Sequence, residues 1–291
     1  VTIDRSSETG TIRSTGGRSA SIAIPLGSSS GPSAAFELTP NARGPWHDEA
    51  AHGGAPAALL ARAVELHGRE GDMRLLSMQT SFLGPVTLGR IEIETELIKP
   101  GRKQMVVAAR LNAGGRTLLA ATGILLRRGS LELSEEAAAA ACGDDPMPPR
   151  EGEPQVREGI WGEGIGPAFH RTSNTIVVIE GGPDRSRPDG AAWFRLDCPL
   201  VPGEEISPAQ RAAAAADFGN GLAHPIPFGE YIFVNCDLNL SLLREPAGPW
   251  IGVKARTAVS VNGSGLTRTT LHDDRGYFGA ASQALYVDLA G

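Results

Sequence analysis

One aspartate interrupts the apolar run 231–243 (YIFVNCDLNLSLL), and a carboxylate inside such a run is costly unless something satisfies it. Asp237 is therefore either bonded to nearby loop backbone or retained for proton transfer, with Cys236, Leu238 and Leu240 as apolar surroundings that suit a general base. Far from it in sequence, His52-Gly53-Gly54 precedes an Ala/Leu-rich run. The glycines fit a tight turn with positive φ beside a packed or capping histidine. They equally fit a helix N-terminus kept free of side chains, so that backbone N–H groups face a carbonyl or a phosphate. Gln283 in AASQAL and Thr257 in KARTAV are polar strand residues; pattern alone makes the first solvent-facing and the second a β-former, unless a site claims them. Arg244, Arg256 and Arg268 recur every twelve residues, on or beside adjacent strands, which suits an anionic ligand or an ordinary solvated sheet face. His170, His224 and His272 are scattered without the spacing of metal ligands, and neither metal nor other cofactor is expected.

These residues need elements to hold them. Leu59, Leu60, Ala63, Val64 and His67 recur at three- and four-residue intervals after the glycine pair, which predicts a helix buried on nearly all sides and ended at Gly68. A short strand over 34–39 precedes it. Strands follow at 74–82, 90–99, 103–111 and 116–127, and in the clearest of them Ile91, Ile93, Thr95 and Leu97 alternate with Glu92, Glu94 and Glu96. Residues 129–159 change character: an alanine-rich helix candidate at 134–141 leads into the proline-laden GDDPMPPREGEP. The second half repeats the order of elements, with strands at 174–180 and 191–197, a helix over 209–218, and strands at 231–243, 250–261, 265–272 and 277–287. Ser207-Pro208-Ala209-Gln210 opens that helix as an N-cap, a first-turn proline and a capping-box residue. The chain thus divides into a weakly ordered leader 1–33 with a short edge-strand candidate at 22–26, a first unit 34–128, a linker 129–159 and a second unit 160–291.

Composition narrows the partners. A net charge of −6 over 291 residues provides no general field for phosphates, so nucleic acid is not expected. Three widely separated cysteines form neither a disulfide framework nor a zinc site. No apolar run approaches the roughly 20 residues of a spanning helix, and the start of the sequence is not signal-like. A soluble, cytoplasmic protein without membrane contact is the expectation.

In RGPWHDEAAHGG, SMQTSFLGPV, NCDLNLSLLREP, WIGVKARTAV and GLTRTTLHDDRGYFGAASQALYV the chain resembles the double-hotdog acyl-CoA thioesterases of the type II, medium-chain kind. The resemblance implies an α+β fold in which each unit is a long central helix wrapped by a curved antiparallel β-sheet, and a homodimer of such chains. It also implies hydrolysis of acyl-CoA thioesters to free acid and coenzyme A, in lipid metabolism, without a cofactor. Asp237 would then activate a water held by Thr257 and Gln283, with Ser260 as the alternative hydroxyl; His52, Gly53, Gly54 and Arg244 would bind substrate. Leu238 departs from the family pattern, where a histidine follows the acid. Two other functions fit the same scaffold: a non-catalytic acyl-thioester binding protein, and an enoyl-thioester hydratase built on Asp217 with His224.

Overall fold

The computed structural model describes residues 21–137, 146–150, 166–182, 186–227 and 229–290. Among the described residues, thirteen strands form one antiparallel sheet with two helices and a short helical turn on its inner face. The first half supplies β1 (Ala23–Pro25), β2 (Ala34–Leu38), helix α1 (Gly54–Leu66), β3 (Met73–Phe82), β4 (Gly89–Lys99), β5 (Gln104–Ala113) and β6 (Arg116–Arg127). The second supplies β7 (Asn174–Glu180), β8 (Asp189–Leu196), helix α2 (Pro208–Ala216), the short helical turn α3 (Gly219–Leu222), β9 (Tyr231–Asn235), β10 (Asp237–Leu242), β11 (Trp250–Ser260), β12 (Ser264–Asp273) and β13 (Gly276–Leu289).

The spatial order is β1-β2-β4-β5-β6-β3-β10-β13-β12-β11-β8-β7, with β9 also beside β13. The halves meet where β3 pairs with β10, Met78 opposite Leu240. On either side of that junction the strands run in the same sequential order, so the repeated order read from the sequence is a repeated architecture. Side-chain alternation follows the pleat: Ile91 and Ile93 are buried while Glu92 and Glu94 are exposed.

Helix α1 buries every residue from Gly54 to Val64. Its one buried charge, Arg62, is forked onto Glu204 at 2.6 Å and bonds the Ser29 carbonyl at 2.7 Å. Helix α2 starts as expected, with the reciprocal Ser207–Gln210 capping box and Pro208 in the first turn.

The short edge strand expected at 22–26 is present, since β1 pairs with β2, and Ile22 and Ala23 are fully buried. Two expectations shift. The second helix has nine residues and is followed by a separate turn, because Gly219 restarts the chain after Asp217 and Phe218. The run 231–243 is two strands, since the chain bends at Cys236, whose N–H bonds the Ala284 carbonyl at 2.8 Å. In the linker, residues 135–137 are helical and the rest of the predicted helix lies outside the described residues. Residues 146–150 pack on the second half, where the Trp193 Nε1–H donates to the Pro148 carbonyl at 3.0 Å and Arg150 lies over the Trp250 ring at 4.7 Å.

Candidate active site

Asp217 ends α2 and is 4 % exposed. A carboxylate there stands against the partial negative charge of the last helical carbonyls, which is an unfavourable place for it. Side chains from elsewhere compensate. Asn235, the last residue of β9, donates from Nδ2 to Asp217 Oδ1 at 2.8 Å, and His52 Nδ1 lies 3.0 Å from Asp217 Oδ2. Gln283 Nε2 donates to the Asp217 carbonyl at 3.4 Å, and Gln283 Oε1 accepts the Asn220 N–H at 3.2 Å. Asn220 Nδ2 donates to Asn235 Oδ1 at 2.9 Å, so four polar side chains close a ring around a single acid.

The first half reaches this ring through the residues ahead of α1. His52 is 10 % exposed, and its ring centroid lies 4.3 Å from that of Phe218 and 5.1 Å from that of Phe169. Neither glycine after it needs positive φ: Gly53 has φ −59° and Gly54 is the first helical residue. They are required for close approach. A β-carbon on Gly53 would stand 2.8 Å from Asp217 Oδ2 and 2.9 Å from the Phe82 ring. The glycine pair therefore lets the start of α1 press against the acid of the other half.

Below the ring runs a row of hydroxyls on the inner face of the sheet. Thr257 is opposite Thr267, and Thr267 is opposite Gln283. Thr257 and Thr267 are buried, with their hydroxyl oxygens 2.7 Å apart. A β-carbon at Gly219 would meet Thr269 Oγ1 at 2.5 Å and Gln283 Oε1 at 3.0 Å, so the bare backbone of α3 rests on this row. Thr257 lies two strands from Gln283, and Thr267 is the hydroxyl residue beside it. Ser260, the alternative, is exposed at the end of β11 and bonds within its own turn.

Asp237 lies elsewhere. Leu238, Leu240 and Leu242 are each 1 % exposed and point inward, so Asp237 must point to the outer face, opposite to Gln283. Its Oδ1 accepts the Ala284 N–H at 2.7 Å and its Oδ2 accepts from Asn239 Nδ2 at 3.0 Å, which joins the bend at Cys236 to β13. Arg244 is likewise occupied: Nη2 bonds Asp273 Oδ1 at 2.8 Å and the Gly276 carbonyl at 3.0 Å. Burial pushes the Asp273 carboxyl up, but the Arg244 guanidinium and the N–H groups of Ala247 and Arg275 outweigh it and hold the carboxyl below its ordinary range. Of the three arginines spaced by twelve, Arg256 and Arg268 face each other across β11 and β12. They line a depression of about 570 Å³ with Lys254, Glu180 and Asp189, and Asp189 holds Arg256 at 2.8 Å.

His224 is buried with its ring centroid 4.2 Å from that of Phe233, so the histidine that meets Asp217 is His52.

Models of the acyl-CoA thioesterase N-terminal and C-terminal domains match residues 42–126 and 139–287. The chain belongs to the acyl-CoA thioesterase family. It is a thioesterase by that membership, and thioester hydrolysis is its general chemistry.

Solved structures show that this thioesterase has the hotdog fold. A protein described as a thioesterase II from Thermobifida fusca YX superposes with a TM-score of 0.65 at 20 % identity, covering 92 % of this chain and 96 % of that one. A hotdog-fold protein of unknown function from Alicyclobacillus acidocaldarius gives 0.63 at 17 % identity, covering 89 % and 94 %. The acyl-CoA thioesterase II TesB2 from Mycobacterium marinum gives 0.59 at 12 % identity, covering 82 % and 90 %. Among curated proteins, none matches the thioesterase by sequence.

Of the thioesterase's polar cluster, sequence reasoning singled out His52 and Gln283, with Gly53 beside His52, while Thr257 lies two strands from Gln283. The same reasoning missed Asn220, Asn235 and Thr267, and met Asp217 only as a partner for His224. A usable signal was present: an acid placed directly at the C-terminal end of a helix opposes the helix dipole, and such a placement needs a reason.

Proposed function

We propose that the protein hydrolyses acyl-CoA thioesters to free acid and coenzyme A, with Asp217 rather than Asp237 as the base that activates water. The observation that carries this reading is the ring around Asp217, a nearly buried residue whose carboxylate is held by the Asn235 amide and by one histidine from the other half, while the Gln283 amide holds its backbone carbonyl. Asp217 takes a proton from the water as its oxygen attacks the thioester carbonyl. Gln283 and Asn235 orient the water without adding charge. The start of α1, kept bare by Gly53, receives the carbonyl oxygen, where backbone dipoles stabilise the developing negative charge. Thr267 lies opposite Gln283 in the sheet and is paired by its hydroxyl with Thr257. No covalent intermediate is required, so Cys198 and Cys236 have no part in the chemistry.

Two hotdog units within one chain, with α1 and the α2–α3 segment as their central helices, are the architecture this mechanism uses, because each unit contributes to one site. Association of two chains is supported by apolar side chains on the outer face, Val234 opposite Tyr286 and Leu266 nearby, which are 51 %, 47 % and 47 % exposed.

The test is release of free thiol from a panel of acyl-CoA substrates of different chain length, by the wild type and by Asp217→Ala. Thiol release that the substitution lowers by about 10²–10⁴-fold supports the reading. Binding without turnover across the panel would indicate a non-catalytic acyl-thioester protein, and consumption of an enoyl substrate without thiol release would indicate a hydratase.

A further inference from the structure

His52 Nδ1 is placed between two groups that make opposite demands on it. It lies 3.1 Å from the Gly54 N–H, which can only donate, and 3.0 Å from Asp217 Oδ2. A ring nitrogen that carries a proton can donate to the carboxylate but cannot accept from Gly54. A bare one can accept from Gly54, but then faces carboxylate lone pairs unless the Asp217 carboxyl holds the proton. The contact is thus suited to one proton that can reside on either side of it.

The surroundings keep that proton local. Phe218 and Phe169 cover the imidazole at centroid distances of 4.3 and 5.1 Å. Among the described residues, the titratable groups that face His52 are Asp217 from α2 and His170 from the turn Phe169–Ser173, with Arg171 beside the latter. Burial first, then the charges of His52 and Arg171, push His170 down to about 3, so it stays neutral and does not compete for the proton. The two helix ends pull in opposite directions: the start of α1 disfavours a cation at His52, while the carbonyls that end α2 favour one.

Resting on the reading of Asp217 as base, we infer that His52 stores the proton that Asp217 takes from the attacking water. The water O–H bond breaks as the new C–O bond forms, and the proton passes from Asp217 Oδ2 to His52 Nδ1. When the C–S bond breaks, the same proton returns through Asp217 to the thiolate sulfur, so nothing beyond water and thioester is consumed. His52 acts through Asp217 as a positioning and proton-storing residue. The site is then a joint product of both halves of the chain, since the acid comes from one and its proton partner from the other.

The experiment compares the pH profiles of kcat for thiol release in the wild type, His52→Asn and Asp217→Asn. Asparagine at 52 can keep a hydrogen bond to Asp217 but cannot take up a proton. The expected result is a loss of about 10–100-fold in kcat for H52N, KM within about threefold, and an acid limb displaced to lower pH by about one pH unit or more, because a pair titrates differently from a single acid. Wild-type kcat and an unmoved acid limb in H52N, with D217N inactive, would overturn this inference and leave the reading of Asp217 intact. Full activity in D217N would overturn both. A second measurement does not depend on H52N folding: in the ¹⁵N spectrum of histidine-labelled protein, the His52 Nδ1 titration should move on Asp217→Asn, and an unchanged titration would contradict the shared proton.

Discussion

Gly54 of α1 and Ala214 of α2 touch backbone to backbone: a β-carbon at position 54 would stand 2.4 Å from the Ala214 carbonyl oxygen. That contact sets how closely the two helices approach, and hence whether His52 and Gly53 reach Asp217. Because the obstructing atom is backbone, it cannot swing aside. Gly54→Ala should cost about 3 kcal/mol and lower Tm by roughly 5–10 °C. Thermal unfolding checks this, and an unchanged Tm would mean that the helices can separate freely.

The Arg244–Asp273 pair offers a second test. Asp273 has a fully buried side chain, and it is satisfied by Arg244 and by two backbone N–H groups. Removing the guanidinium strands a buried carboxylate, so Arg244→Ala should lose about 3 kcal/mol in a urea titration, with lysine recovering only part of it. A loss below about 0.5 kcal/mol would show that the arginine is instead available to substrate.

Acid should weaken the fold from just below neutrality. His170 is pushed down to about 3, and burial lowers His67 and His224 as well, so the native state keeps all three neutral where the unfolded chain binds protons. Their stabilisation is fully present above the ordinary histidine range and is lost as pH falls below it, for His170 down to about 3. Asp273 adds a loss at lower pH, as protonation reaches its depressed range. Glu65 works the other way: burial raises its carboxyl, so its protonation in acid favours the native state. Each unmatched proton corresponds to about 1.4 kcal/mol per pH unit. Tm measured from pH 8 to pH 4 should fall steadily below about pH 6.5; a flat profile would contradict the buried neutral histidines.

Strand positions were legible because a half-buried strand writes its two faces into alternate residues, as Ile91 to Leu97 do. The capping box at Ser207 was legible because its contacts are local. Asp237 faces away from the polar cluster for a reason its own strand contained: with Leu238, Leu240 and Leu242 as the inward residues, the acid had to face out. The pairing of His52 with Asp217 was not legible, since the two are brought together only by the packing of α1 against α2.

The central claim is that the working acid is Asp217 and that Asp237 is a strand tie. Asp217→Asn and Asp237→Asn should therefore be assayed side by side for thiol release from one acyl-CoA, with urea titrations to confirm folding. The expected result is a loss of about 10²–10⁴-fold in kcat for D217N, and for D237N a kcat within about threefold of wild type with a stability loss of about 1 kcal/mol. A D237N enzyme that folds but does not turn over, beside an active D217N, would contradict it.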